Sequence, residues 1–320
     1  MEQIMQSMPL LAIVVPCYNE EQVLQETARQ LLAILDGLVK AQKIQNDSFI
    51  YFVNDGSRDS TWQIISSLNA TEKRIKALKL SGNFGHQNAL FAGLSSVVDK
   101  VDCAITIDAD LQDDVSVIEK MIDAFLNDSD IVYGVRSDRQ SDSFIKKHMA
   151  LLFYRLMEAL GVKIINNHAD FRLMSQRAIN HLLEYKETNL FLRAIVPLIG
   201  FSSEKIYYSR KQRFSGVSKY PTGKMIGLAL NGITSFSIAP LRYVAITGFI
   251  VLMSSLLLCA WALYLALSGI TVPGWASTVL PIYFLGGLQL FSIGVLGEYL
   301  GKVYREVKRR PLFFKDKELF

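Results

Sequence analysis

The stretch Ala104-Ile105-Thr106-Ile107-Asp108-Ala109-Asp110-Leu111-Gln112 sets an apolar run directly against two carboxylates and an amide. Read as a strand, it delivers those polar groups at its carboxyl end. Two carboxylates one residue apart repel if left unpaired, and their oxygens suit a hard divalent cation that also grips a diphosphate. By itself such an acid pair fits an exposed strand-to-loop turn equally well, so the surrounding sequence has to decide.

Working outward, short apolar runs alternate with longer amphipathic ones. Strands are expected at about Leu10 to Val15, Phe49 to Asn54, Ile75 to Leu80, Asp102 to Ile107 and Asp130 to Val135, with helices between them. This alternation predicts an α/β layer fold with a mostly parallel sheet. Ligands in such sheets bind beyond the carboxyl ends of strands. Three of these ends are polar: Pro16-Cys17-Tyr18-Asn19-Glu20, Asn54-Asp55-Gly56-Ser57 and Asp108-Ala109-Asp110. An Asp-Gly pair alone marks a tight turn. Beside the other two strand ends, Asp55 is instead placed to accept hydrogen bonds from a nucleotide base or ribose. Helical patterning resumes from about Asp142 to Leu160 and from Ser175 to Tyr185, with Ser175 as the N-cap.

The chain has 320 residues, half of them hydrophobic, and a mean hydropathy of +0.23. The apolar excess is concentrated late. Tyr243 to about Ala266 and Trp275 to Gly297 carry no charge, and each run is long enough to cross a bilayer as a helix. The connection Leu267 to Gly274 is uncharged, whereas Lys302, Arg305, Lys308, Arg309 and Arg310 follow the second run. The positive-inside rule then places that tail in the cytoplasm, and an even number of spans puts the N-terminal region there too. The apolar run Met8 to Pro16 lacks a preceding cationic region and does not read as a signal peptide. Met225 to Ala239 reads as an interfacial helix along the membrane, with a buried helix of the soluble region as the alternative. Cys17, Cys103 and Cys259 are scattered on apolar segments and form neither a disulfide framework nor a metal site. The net charge is +4, with basic residues flanking the apolar runs, and no nucleic-acid recognition motif accompanies them.

Taken together, Val14-Val15-Pro16-Cys17-Tyr18-Asn19-Glu20-Glu21, Asn54-Asp55-Gly56-Ser57 and Asp108-Ala109-Asp110-Leu111-Gln112-Asp113 resemble the family 2 glycosyltransferases with the GT-A fold. Further matches are Asn83-Phe84-Gly85-His86-Gln87, Ala169-Asp170-Phe171-Arg172-Leu173-Met174, Arg213-Phe214-Ser215-Gly216-Val217-Ser218-Lys219-Tyr220 and Gly294-Val295-Leu296-Gly297-Glu298-Tyr299-Leu300-Gly301. With these, the chain is similar to the polyprenyl-phosphate branch, the bactoprenol glucosyltransferases related to dolichyl-phosphate mannose synthases. The resemblance covers essentially the whole chain. It implies a cytoplasmic GT-A (Rossmann-like) domain over 1–221, an interfacial segment over 222–240, a two-helix transmembrane hairpin over 241–302 and a basic cytoplasmic tail over 303–320.

The same resemblance assigns roles. Pro16, Tyr18, Glu20 and Asp55 would hold the nucleotide, Asp108 the ribose or sugar side, and Asp110 with Gln112 a Mg²⁺ or Mn²⁺ ion bridging the diphosphate. Asp170 occupies the position of the family's catalytic base. A lipid phosphate acceptor is already anionic near neutral pH, since a monoester's second pKa is about 6. Asp170 would then orient ligands rather than take a proton. Arg136, Arg139, Arg213, Ser215 and Lys219 are the candidates for the acceptor phosphate, with plain positive-inside flanking as the alternative for the last three. Relatives carry lysine or a similar residue where this chain has His86, and proline where it has Asp114.

The expected reaction is an inverting transfer of a hexose, glucose foremost, from a UDP-sugar to undecaprenyl phosphate at the bacterial inner membrane, for cell-envelope glycan modification. UDP-GlcNAc, a UDP-aminoarabinose derivative and GDP-mannose are alternative donors. A processive polysaccharide synthase would carry a Gln-x-x-Arg-Trp motif and more spans; this sequence has neither. A catalytically silent lipid-binding scaffold is the alternative from another class, and it would be expected to have lost Asp108, Asp110 or Gln112. Gly286-Gly287, Gly294 and Gly297 offer small faces for helix packing and a homo-oligomer, a tetramer by resemblance. Resemblance also implies a small flippase and a downstream glycosyltransferase as partners.

Overall fold

The computed structural model describes residues 8–137, 168–188, 190–209, 239–268 and 275–320. They divide into two compact units, one holding the residues up to 209 together with 310–320, the other holding 239–309.

In the first unit every residue of β1 (Leu11–Cys17) is buried, as an unbroken apolar run requires of a strand covered on both faces. It pairs in parallel with β2 (Phe49–Asn54) and β4 (Cys103–Thr106), and β3 (Ile75–Leu80) extends the parallel set beyond β2. The carboxyl ends of β1, β2 and β4 therefore share one edge. On the far side of β4, β6 (His168–Ser175) runs antiparallel to both β4 and β5 (Ile131–Arg136), and β7 (Ser203–Tyr208) lies parallel to β5. β8 (Lys315–Leu319) closes the other edge antiparallel to β3. The order is β7-β5-β6-β4-β1-β2-β3-β8, with four of its seven pairings parallel.

Helices α1 (Leu24–Lys40), α2 (Thr61–Thr71), α3 (His86–Val97), α4 (Val117–Leu126), α5 (Gln176–Glu184) and α6 (Leu192–Leu198) complete this unit. On α1, Leu24, Ala28, Leu31, Leu35 and Leu38 fall at helical spacing and are buried against the sheet. Gly93 lets α3 lie close on β1 and β2, since a Cβ there would meet Val14 at 2.5 Å and Val53 at 2.8 Å. Ser175 caps α5, accepting a hydrogen bond from the Ala178 N–H at 3.2 Å.

The second unit contains α7 (Ala239–Leu267) and α8 (Trp275–Lys308), which contain the two uncharged runs, α8 continuing past Gly297 into charged residues. At 29 and 34 residues they measure about 44 and 51 Å at 1.5 Å per residue, more than a bilayer core of about 30 Å. Large apolar side chains such as Phe249, Leu257, Trp261, Phe284, Leu290 and Phe291 are exposed along them. Among the described residues one stretch, Phe284–Lys308, is both long and apolar enough to cross a membrane.

All five expected strands are present, β2 and β3 with the expected bounds and β1, β4 and β5 with ends shifted by one or two residues. The division of the tail needs correcting. Residues 303–308 belong to α8, and 310–320 belong to the compact sheet unit, where they supply β8, rather than forming a separate basic tail. Lys-Asp-Lys-Glu-Leu carries no apolar alternation, and its backbone pairs with the ladder offered by the edge of β3. The helix expected over Asp142 to Leu160 lies outside the described residues. So does the interfacial segment, except for 239 and 240, which begin α7.

Candidate active site

Three turns at the carboxyl edge are stitched to one another. The Asp55 N–H donates to the Cys17 carbonyl at 2.9 Å, joining the ends of β1 and β2. Asn19, with φ of 55°, donates its N–H to Ser57 Oγ at 3.0 Å and accepts from the Arg58 N–H at 2.8 Å. The Glu20 N–H donates to Thr61 Oγ1, and Thr27 on α1 donates to the Ala109 carbonyl. Pro16 is buried within β1, and Tyr18 and Glu20 are half-buried just beyond it. Strained backbone held by surrounding bonds is common at functional sites, and Leu111, between Asp110 and Gln112, also has φ of 56°.

Asp55 is 3% exposed and its two oxygens accept the N–H groups of Phe84 and Gly85 at 2.7 and 3.0 Å. Burial pushes its carboxyl up, against the pull of those two N–H groups. Gly56 presses on the same loop: with φ of 65°, a Cβ there would stand 2.4 Å from the Gly82 carbonyl carbon.

The register Thr106↔Arg172 carries Asp108 and Asp170 toward each other at the junction of β4 and β6. His86, the first residue of α3, sits between them, its Nε2 3.5 Å from Asp108 Oδ1 and 3.4 Å from Asp170 Oδ2. Burial pulls the imidazole down, but the two carboxylates outweigh it and push its pKa up to about 9. Asp170 also receives Arg172 Nη2 at 2.5 Å, Arg193 Nη2 at 3.1 Å and Gln87 Nε2 at 3.3 Å. Burial would raise the Asp170 carboxyl; Arg193, His86 and Arg172 together hold it well below its ordinary range. Gln87 and Arg172 further bond the N–H and carbonyl of Leu192, fixing the start of α6 to the cluster. Asp170 lies within a strand, not at a helix start.

Asp108, Asp110 and Gln112 are half-buried on one loop, and the Gln112 N–H donates to Asp110 Oδ1 at 3.2 Å. Among the described residues Asp108 Oδ1 has no hydrogen-bond partner, and burial, against the pull of His86 and with help from the Asp113, Asp170 and Asp110 carboxylates, pushes that carboxyl up. Among the described residues no three His, Cys, Asp or Glu side chains converge as a closed metal cage. An all-oxygen donor set this small fits a hard divalent cation whose remaining ligands come from a diphosphate and water. Arg136 donates to Asp113 at 3.0 Å, and Tyr208 donates to the same carboxylate at 2.5 Å, so part of the guanidinium is already engaged. Arg139, Arg213, Ser215 and Lys219 lie outside the described residues. Arg193 escaped the sequence reading, because no motif surrounds it; Gln87 lay inside a quoted motif without a role.

A mostly parallel α/β sheet that gathers acidic turns at the carboxyl ends of its strands has the ligand-binding layout of such folds. A family model described as "Glycosyl transferase family 2" matches residues 12–183, and the chain belongs to that family. It is 51% identical over 315 residues to the uncharacterized glycosyltransferase YkoT of Bacillus subtilis, covering 98% of this chain and 94% of that protein. It is 39% identical over 312 residues to the SfII prophage-derived bactoprenol glucosyl transferase of Shigella flexneri, covering 96% and 97%. Among solved structures it is similar to glucosyl-3-phosphoglycerate synthase from Mycobacterium tuberculosis, crystallised with Mn²⁺, UDP and glucosyl-3-phosphoglycerate. That match has a TM-score of 0.43 and 12% identity over 71% of this chain and 78% of the other.

Proposed function

We propose that the chain is a membrane-anchored inverting transferase that moves a hexose, glucose foremost, from a UDP-sugar to a polyprenyl phosphate. The observation that carries this reading is the state of Asp170. A carboxylate gripped by Arg172 and Arg193 and held well below its ordinary range is a poor proton acceptor. Such a carboxylate suits an acceptor that arrives already ionised, as a phosphate monoester does and a sugar hydroxyl does not. The bactoprenol glucosyl transferase relative supports a lipid phosphate as that acceptor.

In this reading Pro16, Tyr18, Glu20 and Asp55 hold the nucleoside, and Asp108 faces the ribose or sugar. Asp110 and Gln112 hold Mg²⁺ or Mn²⁺. Such an ion neutralises charge developing on the departing diphosphate. Asp170, its oxygens fixed by Arg172, Arg193 and Gln87, orients the reacting groups. Attack in line with the leaving group inverts an α-linked donor. Arg136, Arg139, Arg213, Ser215 and Lys219 receive the acceptor phosphate, Arg136 with the N–H groups not engaged by Asp113. α7 and α8 form a membrane hairpin, placing the protein in a bacterial inner membrane with both termini cytoplasmic, and homo-oligomers, flippase and downstream transferase remain expected partners.

The test uses the purified full-length chain in mild detergent with undecaprenyl phosphate, Mn²⁺ and a panel of UDP- and GDP-sugars. UDP release and glycolipid formation should both require the lipid and the metal, and Asp110→Ala should abolish them. Glycolipid formed equally well by Asp110→Ala, or by no donor at all, would overturn the reading.

A further inference from the structure

The last residues of the chain touch the loop that Asp55 holds. β8 is paired to β3 through Ala77↔Leu319, Leu78↔Glu318, Lys79↔Lys317 and Leu80↔Lys315, with a register shift between Lys79 and Leu80 where the loop departs. Immediately beyond it the Ser81 N–H donates to the Phe314 carbonyl at 3.0 Å. The Phe314 ring lies 6.1 Å from the Phe84 ring, tilted by 59°. Phe84 and Gly85 are the two residues whose N–H groups bind the Asp55 carboxylate. Gly85 leads straight into His86 and Gln87, which reach Asp108 and Asp170. The loop 81–85 is thus held by the Asp55-Gly56 turn and by Phe314.

The strand that delivers Phe314 is clamped along its length. Lys79 pairs with Asp316 at 2.7 Å, and the Tyr51 hydroxyl donates to Glu318 at 2.6 Å. The ring of Phe320 sits 5.7 Å from both Phe49 and Tyr51, with the ammonium groups of Lys76 and Lys100 at 4.1 and 3.2 Å from its centroid. Yet Lys315–Lys317 are exposed and Phe314 is 56% exposed, so burial of Phe314 contributes little to the core. A half-exposed aromatic on so firmly tethered a segment adds more to the loop's position than to the fold's stability.

We propose that Phe314 is a positioning residue for the donor site: through Phe84 it fixes loop 81–85, and with it the Asp55 carboxylate that receives the nucleotide. The C-terminal strand is then part of the donor-binding apparatus. The inference rests on the reading of Asp55 as a nucleotide-binding residue.

The experiment compares the full-length chain with Phe314→Ala, Phe314→Tyr, Phe84→Ala, the Phe84→Ala/Phe314→Ala double variant and Asp55→Asn, measuring UDP affinity by calorimetry with Mn²⁺, transferase kinetics and the thermal midpoint. Phe314→Ala should raise the UDP Kd and donor KM about tenfold with kcat within about twofold, the pattern of lost uniform binding. Phe314→Tyr should restore both constants, and the double variant should be no worse than either single one. Hydrogen exchange at Phe84 and Gly85 should speed up in Phe314→Ala, a readout available even if its thermal midpoint falls. A lower thermal midpoint with unchanged UDP affinity and unchanged exchange at those amides would overturn the inference. If Asp55→Asn leaves UDP affinity intact, the donor-site reading itself fails; if it weakens UDP while Phe314→Ala does not, only the role of Phe314 fails.

Discussion

His86 and Asp170 are joined by charge, and the consequence can be read against pH. A histidine whose pKa rises from 6.5 to about 9 on folding adds stability that is fully present below 6.5 and is lost as pH climbs through about 9. In the presence of a chelator and without donor, the thermal midpoint of the wild type should exceed that of His86→Gln at pH 6.5, and the gap should shrink by pH 10. A gap independent of pH would mean that the imidazole is neutral in the folded chain. Asp170 gives the complementary expectation. A carboxyl held well below 4 stays ionised at every pH where the enzyme works, so it leaves no mark on the rate profile. The acidic limb of kcat/KM should sit near the acceptor's second phosphate pKa of about 6. A limb near 4 that vanished in Asp170→Asn would restore Asp170 as the base. Only part of this electrostatic arrangement was legible in the sequence, where Asp170 and Arg172 shared one motif, His86 lay in another and Arg193 in none. Distances between strands decide which cation meets which carboxylate, and spacing along the chain does not encode them.

The elements were legible in proportion to how apolar they are. β1 and β2 are continuous buried runs and were placed within two residues. β6 was missed although all eight of its residues are buried, because His168, Asp170, Arg172 and Ser175 interrupt its apolar pattern. Their polar groups are satisfied by partners from other elements, which a sequence does not display. Asp130, just before β5, shows the same rule in purely structural form. Its oxygens accept from Ser175, Ser202 and Arg177, binding the start of β5, the end of β6 and the turn before β7 into one corner. Arg177 first, against burial and with help from Ser175 and Ser202, lowers its carboxyl pKa, so its contribution is present above about pH 4 and is lost as pH falls further. Asp130→Ala strips all of these bonds and should cost about 1.5–3 kcal/mol, the range for hydrogen bonds to a charged group. Denaturant unfolding of the full chain at pH 7 measures this. The difference from wild type should narrow as pH falls below about 4 and through the lowered native pKa.

At the scale of the whole molecule, the basic residues decide which way the chain enters a membrane. Lys302, Arg305, Lys308, Arg309 and Arg310 cluster at the end of α8, whereas 267–274 carries no charge at all. A lysine or arginine at mid-membrane costs about 2.5–3.5 kcal/mol on insertion scales, so moving the uncharged connection across is far easier than moving the cluster. The proposed hairpin therefore puts Ser268, at the end of α7, outside the cytoplasm, and Lys308, at the end of α8, within it. Single cysteines at Ser268 and Lys308 check this in a background where Cys17, Cys103 and Cys259 are replaced by serine or alanine. A membrane-impermeant maleimide applied to intact spheroplasts should label Ser268→Cys at once and Lys308→Cys only after permeabilisation. Labelling of both from outside, or of neither, would break the hairpin. With a single span β8 would be separated from β3, its partner in the first unit. The labelling pattern thus fixes on which side of the membrane the Asp55, Asp110 and Asp170 constellation lies, and with it the side on which the proposed donor must be supplied.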